Sequence, residues 1–187
     1  RAGRGRGCGP VSAAVAGDPR AFAPAVAADH RPGPEATLLD GTLIADHWFE
    51  VPLDHAAPDG RTLTVFAREY VAAAHRERRE ELPWLVFLQG GPGGKGMRQA
   101  RLGGWMKQAA TDFRILMLDQ RGTGLSTPYG APDPDPAADA ARLRHFRADA
   151  IVRDAEAFRE HLGEQRVSVL GQSFGGFCAL HYLSSAP

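Results

Sequence analysis

A serine between glycines is the residue of this chain best suited to do chemistry. The segment Gly171-Gln172-Ser173-Phe174-Gly175 lies between an apolar run at residues 166–170 and an apolar helical pattern at residues 174–184. Small neighbours permit the sharp strand-to-helix turn that projects a serine hydroxyl above a sheet. The following helix would direct its N-terminal amides at charge that develops beside that hydroxyl. The pattern therefore predicts Ser173 as a nucleophile; the alternative is a capping serine in an ordinary glycine turn.

A second segment, Gln89-Gly90-Gly91-Pro92-Gly93-Gly94, directly follows the apolar run at residues 83–88. In serine acyl-transfer enzymes of this arrangement, one oxyanion-hole amide belongs to the residue after the nucleophile, here Phe174. The other amide comes from a strand-to-helix loop in which glycines let the backbone approach the substrate. Gly91 is the candidate for this second donor. The residues expected to support it in the loop are Gln89, Gly90, Pro92 and Gly93.

Two phosphate-binding patterns overlap this loop. A P-loop would need glycine at position 89 and Ser or Thr at position 96, where the chain has Gln89 and Gly96. The dinucleotide fingerprint Gly-x-Gly-x-x-Gly is satisfied by residues 91–96, and Asp119 ends the next apolar run. Dinucleotide binding is nevertheless disfavoured, because Pro92 removes an amide from the turn and because this interpretation leaves the serine motif unexplained. An oxidoreductase remains a minor alternative.

A third segment, Asp119-Gln120-Arg121-Gly122-Thr123-Gly124-Leu125-Ser126, follows the apolar run at residues 113–118. Asp119 and Arg121 could pair with each other or brace the neighbouring glycine loop. Both are expected to support the site rather than to take part in the chemistry.

The elements that must position these segments alternate between strand-like and helix-like runs from residue 42 onward. This alternation predicts an α/β fold with a mostly parallel sheet that opens with an antiparallel hairpin. Strands are expected at residues 42–53, 61–71, 83–88, 113–118 and 166–170, and helices at 99–111, after a loop at 130–138, and at 174–184. Residues 1–36 are expected to form a disordered, low-complexity arm before a domain portion at 37–187.

Composition excludes several classes of protein. The 187 residues contain 22 Lys and Arg against 22 Asp and Glu, without a basic cluster, which argues against a nucleic-acid surface. No apolar run reaches the roughly 18 to 20 residues of a membrane-spanning helix, so no membrane partner is expected. The two cysteines, Cys8 and Cys178, make no disulfide framework, and a reducing, cytoplasmic location is expected. The seven histidines show no metal-ligand spacing, and no cofactor is expected.

In these three segments the sequence resembles the prolyl aminopeptidases (proline iminopeptidases) of the α/β-hydrolase superfamily. The hallmarks of that family are a His-Gly-Gly-Pro-Gly-like oxyanion loop, an Asp-Gln-Arg-Gly-x-Gly-x-Ser segment and a Gly-x-Ser-x-Gly-Gly turn called the nucleophile elbow. All three occur in the expected order, and the resemblance covers residues 42–187. Gln89 replaces the more common histidine, which is similar to the larger-subunit branch of the family.

The resemblance implies a serine hydrolase that releases N-terminal proline from peptides through an acyl-enzyme. Ser173 would be the nucleophile, and the amides of Gly91 and Phe174 would form the oxyanion hole. In this fold the triad Asp and His follow the serine along the chain, so both are expected beyond Pro187. The fold is then expected to be truncated after the elbow helix, and the segment alone is expected to be inactive. An esterase or lipase on the same fold and a non-catalytic product are the alternatives.

The chain is expected not to bind a dinucleotide, because Pro92 interrupts the amide cradle that a pyrophosphate would need. Calorimetric titration with NAD, NADP and FAD should show no heat of binding. Micromolar affinity for any of the three would overturn the hydrolase interpretation.

Overall fold

The fold contains one sheet of six strands with helices on both faces. A computed structural model describes residues 29–164 and 166–185 of the chain. The strands are β1 Asp29–Thr37, β2 Leu43–Pro52, β3 Thr62–Val71, β4 Trp84–Leu88, β5 Arg114–Asp119 and β6 Ser168–Gly171. Their order across the sheet is β1-β2-β3-β5-β4-β6. The α/β class expected from the sequence is therefore confirmed.

The described residues form four α-helices: α1 Gly104–Ala109, α2 Pro136–Leu143, α3 Ala148–His161 and α4 Phe174–Ser185. Helices α3 and α4 share one apolar core with β2 to β5, whereas α1 packs on the opposite face through the buried Met106. Short 3-10 segments occupy Ala73–Glu81 and Arg144–Phe146. Within the described ranges, no helix combines the length and the apolar character needed to cross a bilayer.

The N-terminal side of the sheet is antiparallel. The expected hairpin is present: β2 pairs with β3 from Leu43 opposite Val71 to Pro52 opposite Thr62. Strand β1 extends it on one side, and β3 pairs antiparallel with β5 on the other. Parallel pairing is confined to β5, β4 and β6. The sheet is thus mixed, and its parallel part lies on the side of the glycine-flanked serine.

Strand β1 corrects the prediction of a disordered arm over residues 1–36, for the part that the structure describes. Its side chains are mostly exposed and do not alternate in polarity, so the sequence pattern carries no strand signal. The strand forms because its backbone pairs with β2, with a register shift between Pro32 and Glu35, and because His30 stacks on Phe49 at 4.6 Å. Residues 1–28 lie outside the described residues.

Strands β4 and β5, which correspond to the strands predicted at residues 83–88 and 113–118, are buried on both faces. All five residues of β4 and all six residues of β5 are buried. Continuous apolar runs of this kind are typical of central strands in a sheet covered by helices on both sides. The glycine loop and the segment that begins at Asp119 therefore both start from rigid, fully buried elements.

Two helix boundaries differ from those predicted. The helix expected at residues 99–111 is shorter, because Gly104 at its first position adopts φ +53° and no side chain caps its start. Helix α2 begins inside the predicted loop at 130–138. It begins there because Asp135 accepts a hydrogen bond from the Ala137 amide at 3.0 Å and because Pro136 is favourable in the first turn.

Helix α4 approaches the sheet so closely that two of its contacts require glycine. A Cβ at Gly175 would lie 1.9 Å from the carbonyl oxygen of Leu88, and a Cβ at Gly171 would lie 2.1 Å from the carbonyl oxygen of Gly175. Both obstacles are backbone atoms, which cannot move aside as a side chain can. The two glycines of the Gly-x-Ser-x-Gly motif therefore set the distance between β4, β6 and α4.

The outer face of α4 is apolar. Its residues Phe177, Leu180 and Leu183 are 59, 69 and 65% exposed. Apolar surface of this extent favours association with another apolar surface.

Replacement of Gly175 by alanine should destabilise the fold, because the added methyl collides with the Leu88 carbonyl. We expect Gly175→Ala to lower the free energy of unfolding by about 3 kcal/mol or more, the upper range for overpacked sites. Gly176→Ala is the matched control, because its Cβ would have an ordinary contact of 3.6 Å with Gly171. Urea denaturation of the full-length protein measures both; equal stability of the two variants would contradict the packing argument.

Candidate active site

Ser173 occupies the turn between β6 and α4 in a left-handed backbone conformation. Its φ is 53°, and it is the only non-glycine residue with positive φ in the described part of the chain. This conformation costs an L residue about 1 to 2 kcal/mol and persists only where surrounding contacts enforce it. Here the Gln172 amide donates to the Leu88 carbonyl at 3.1 Å and the Gly175 amide to the Gln172 carbonyl at 2.8 Å. The strained turn presents an exposed Ser173 side chain.

The glycine loop lies directly against this turn. A Cβ at Gly90 would lie 2.9 Å from the Gln172 carbonyl oxygen and 3.0 Å from the Ser173 Cβ. Gly91 has φ +124°, and a Cβ there would lie 2.9 Å from the amide nitrogens of both Gly93 and Gly94. Glycine is therefore required at both positions, for close approach at Gly90 and for backbone conformation at Gly91.

The two amides predicted for an oxyanion hole differ from their neighbours in hydrogen bonding. The Gly90 amide donates to Gln89 Oε1 at 2.9 Å, and the Gly94 amide donates to the Gly90 carbonyl at 3.2 Å. The amides of Gly91 and Phe174, in contrast, donate to no acceptor among residues 29–164 and 166–185. They remain available to an oxygen of a substrate.

Gln89 joins the two ends of the loop. Its side-chain Nε2 donates to the Lys95 carbonyl at 3.3 Å, and its side-chain Oε1 accepts from the Gly90 amide at 2.9 Å. Its backbone carbonyl accepts from Gln120 Nε2 at 3.1 Å. Pro92 and Gly93 are exposed at the tip. The amide side chain at position 89 thus acts as a donor and an acceptor at once, which gives it a supporting position in the loop.

Asp119 braces this loop from the end of β5. The carboxylate is fully buried and accepts from the Gly96 amide at 2.7 Å, the Leu125 amide at 2.8 Å and Arg98 Nη2 at 2.6 Å. The buried Asp119 carboxylate therefore holds two segments together: the one that follows the glycine loop and the one that follows β5. The supporting role of Asp119 stays a prediction, and no pattern in the sequence indicated its partner Arg98.

The alternative pairing of Asp119 with Arg121 is wrong. Arg121 points away and donates to Asp154 of α3 at 2.7 Å through Nε and at 2.5 Å through Nη2. His55 Nε2 lies 2.9 Å from both Arg121 Nη2 and Asp154 Oδ1. Asp154 is fully buried. Its burial is possible because the guanidinium supplies the opposite charge.

The cysteine of helix α4, Cys178, is buried. Burial in α4 raises the pKa of the Cys178 thiol to about 11, so the thiol remains protonated at neutral pH. In residues 29–164 and 166–185, no group of three or more His, Cys, Asp or Glu side chains could hold a metal ion. The side chain that the strained turn exposes beside the glycine loop is that of Ser173.

Comparison with known proteins identifies the family. The family model described as "alpha/beta hydrolase fold" matches residues 83–187, which include β4, the glycine loop and the strained serine turn. The chain belongs to the α/β-hydrolase family.

Within that family, this hydrolase chain is similar to proline iminopeptidases. It is 51% identical over 156 residues to a proline iminopeptidase of Aeromonas sobria, covering 80% of this chain and 36% of the relative. It is 42% identical over 159 residues to one of Aspergillus aculeatus, covering 79% and 35%. The chain thus spans about a third of the length of these relatives. The resemblance inferred from the three segments is confirmed.

A solved structure, that of a proline iminopeptidase-related protein of Thermus thermophilus, is also similar. The two share 26% sequence identity with a TM-score of 0.47, over 76% of this chain and 41% of the other.

Removal of the Asp119 charge should loosen both segments that this carboxylate holds. We expect Asp119→Asn to lower the free energy of unfolding by about 2 to 4 kcal/mol, because Arg98 and the two amides lose a charged acceptor. Asp59→Asn in the exposed turn between β2 and β3 is the control, with a change within about 0.5 kcal/mol. Thermal and urea denaturation of the full-length protein measure the effect. An unchanged free energy of unfolding in Asp119→Asn would rule out the bracing role.

Proposed function

We propose that the α/β hydrolase to which this chain belongs is a serine aminopeptidase that releases N-terminal proline from peptides. The carrying observation is the positive φ of Ser173 in a turn that touches the glycine loop. Similarity to proline iminopeptidases supports the choice of substrate. A cytoplasmic location and a peptide substrate belong to the same proposal.

In the proposed reaction, Ser173 Oγ attacks the carbonyl carbon of the N-terminal proline residue. The bond from carbon to the next residue's nitrogen breaks in the collapse of the tetrahedral intermediate, and that nitrogen leaves with a proton. Water then hydrolyses the acyl-enzyme, which frees proline and restores the serine. The rigid turn lowers the cost of orientation, because the hydroxyl does not have to be positioned at each turnover.

The amides of Gly91 and Phe174 would stabilise the negative charge on the carbonyl oxygen of that intermediate. Donors that are fixed before the reaction need no reorganisation as the charge develops, and loss of one such donor costs about 100-fold or more in kcat in other enzymes. Gly91 is fixed by its backbone conformation, and Phe174 is fixed as the first residue of α4. The remaining loop residues, with Asp119 and Arg121, would support this geometry.

A general base must accept the proton of Ser173 for the hydroxyl to attack at neutral pH. Among the described histidines, His47 contacts Glu69 at 3.2 Å and His55 contacts Asp154 at 2.9 Å, both in the N-terminal part of the fold. The family order of the triad assigns the base and its acid to positions after Ser173.

Substitution of the proposed nucleophile should abolish turnover and leave the fold intact. Ser173→Ala removes the attacking oxygen and very little volume. It leaves in place the backbone contacts that position α4. Hydrolysis of proline β-naphthylamide by the full-length protein should fall by about 10⁴-fold or more, with an unchanged circular dichroism spectrum.

Ser184→Ala, near the end of α4, is the control serine and should retain activity. Retained activity of Ser173→Ala would refute the assignment. Hydrolysis of acyl esters with no cleavage of the proline amide would instead establish the esterase alternative.

A further inference from the structure

A cavity of about 290 Å³ lies beside the glycine loop; four of its six lining residues have charged side chains, and carbon atoms form most of its surface. Its lining residues are Arg68, Lys95, Arg98, Asp119, Gly124 and Leu125. We propose that this cavity binds the C-terminal carboxylate of the peptide portion that leaves after cleavage, an inference that rests on the proposed function. The substrates that the site favours are then short peptides with a free C-terminus.

The charges around the cavity leave one cation without a counter-ion. Arg68 is held by Asp46 at 2.5 and 2.8 Å, and Arg98 is held by Asp119 at 2.6 Å. Lys95 is exposed and forms no ion pair with any acid in the part of the chain that the structure describes. The cavity therefore carries a net positive charge, and an ammonium group with three donors is available to an anionic ligand.

The position of the cavity sets the length of the ligand. Ser173 follows β6 and Leu125 follows β5, and β4 lies between these strands. Neighbouring strands are about 4.8 Å apart, so the two strand ends are separated by about 10 Å. An extended peptide advances about 3.3 Å per residue. A leaving portion of about three residues thus reaches from the serine across the glycine loop to the cavity.

The sign of the charge sets the direction of the ligand. The N-terminal proline carries a positive imino group, which the unpaired Lys95 ammonium would repel. The opposite end of a short peptide carries a carboxylate, which the same ammonium attracts. Leu125, 57% exposed at the same cavity, adds an apolar surface for the side chain before that carboxylate. The cavity accordingly fits the leaving side of the substrate and not the proline side.

The test uses the full-length protein and the peptide Pro-Ala-Ala-Ala as the free acid and as the C-terminal amide. The two peptides differ only in terminal charge, so the ratio of their kcat/KM values isolates the carboxylate. An exposed charge pair is a modest interaction, and we expect the wild type to favour the acid by about fivefold. The preference should decrease in 0.5 M NaCl, because salt screens exposed charges.

Lys95→Met should bring the ratio close to one, mainly through a higher KM for the acid, and Lys95→Glu should reverse it. Lys107→Met is the matched control, because Lys107 is also an exposed lysine, lies on α1 and should keep the wild-type ratio. Circular dichroism verifies that each variant is folded.

Each outcome supports or overturns the assignment. A ratio lost in Lys95→Met and kept in Lys107→Met supports it. An equal ratio in wild type and Lys95→Met overturns it, as does an equal loss in both variants, which would indicate a long-range charge effect. Cleavage of both peptides with an unchanged ratio leaves the proposed function standing, whereas absence of cleavage of any proline substrate overturns that function and the cavity assignment with it.

Discussion

The close approach of three backbone segments is the constraint on which the site depends. Gly171 of β6, Gly175 of α4 and the Leu88 carbonyl of β4 meet without room for a single methyl group. This packing forces the chain to turn sharply. Ser173, the middle residue of the three between the two glycines, takes the left-handed conformation. The left-handed backbone at Ser173 is thus a result of tertiary packing, because local propensity would disfavour it.

Two buried charges extend this order outward from the turn. Asp119 ties the exit of the glycine loop to the segment after β5, and Arg121 ties that same segment to the hairpin and to α3. Each charge is satisfied by several partners, which is the condition for an ionic group to be retained in a protein interior. The site therefore lies at the junction of two polar networks that leave the apolar cores on both faces undisturbed.

The sequence predicted the elements whose signal is local. Strands β2 to β5 and helices α3 and α4 were recognisable because apolar periodicity or continuous apolar runs report burial directly. Strand β1 was missed because its stability comes from pairing with β2, and the pairing of Arg121 with Asp154 was missed because the two residues lie 33 positions apart in the chain. The glycine and serine positions were predictable since steric requirements restrict their residue types. The charge distribution around Lys95 was not predictable from the sequence, since it depends on which acidic side chains form ion pairs with the neighbouring arginines.

The Arg121 guanidinium also affects how this part of the molecule unfolds. It donates to carbonyls of Pro52, Leu53 and His145, which are 69, 68 and 24 positions away, as well as to Asp154. Closing a long loop is the costly step, and further bonds made by the same planar group add little entropic cost. The hairpin end, the β5 exit and α3 are therefore joined into one cooperative unit, so that amide hydrogens in all three segments should exchange through a shared opening event rather than through separate local ones.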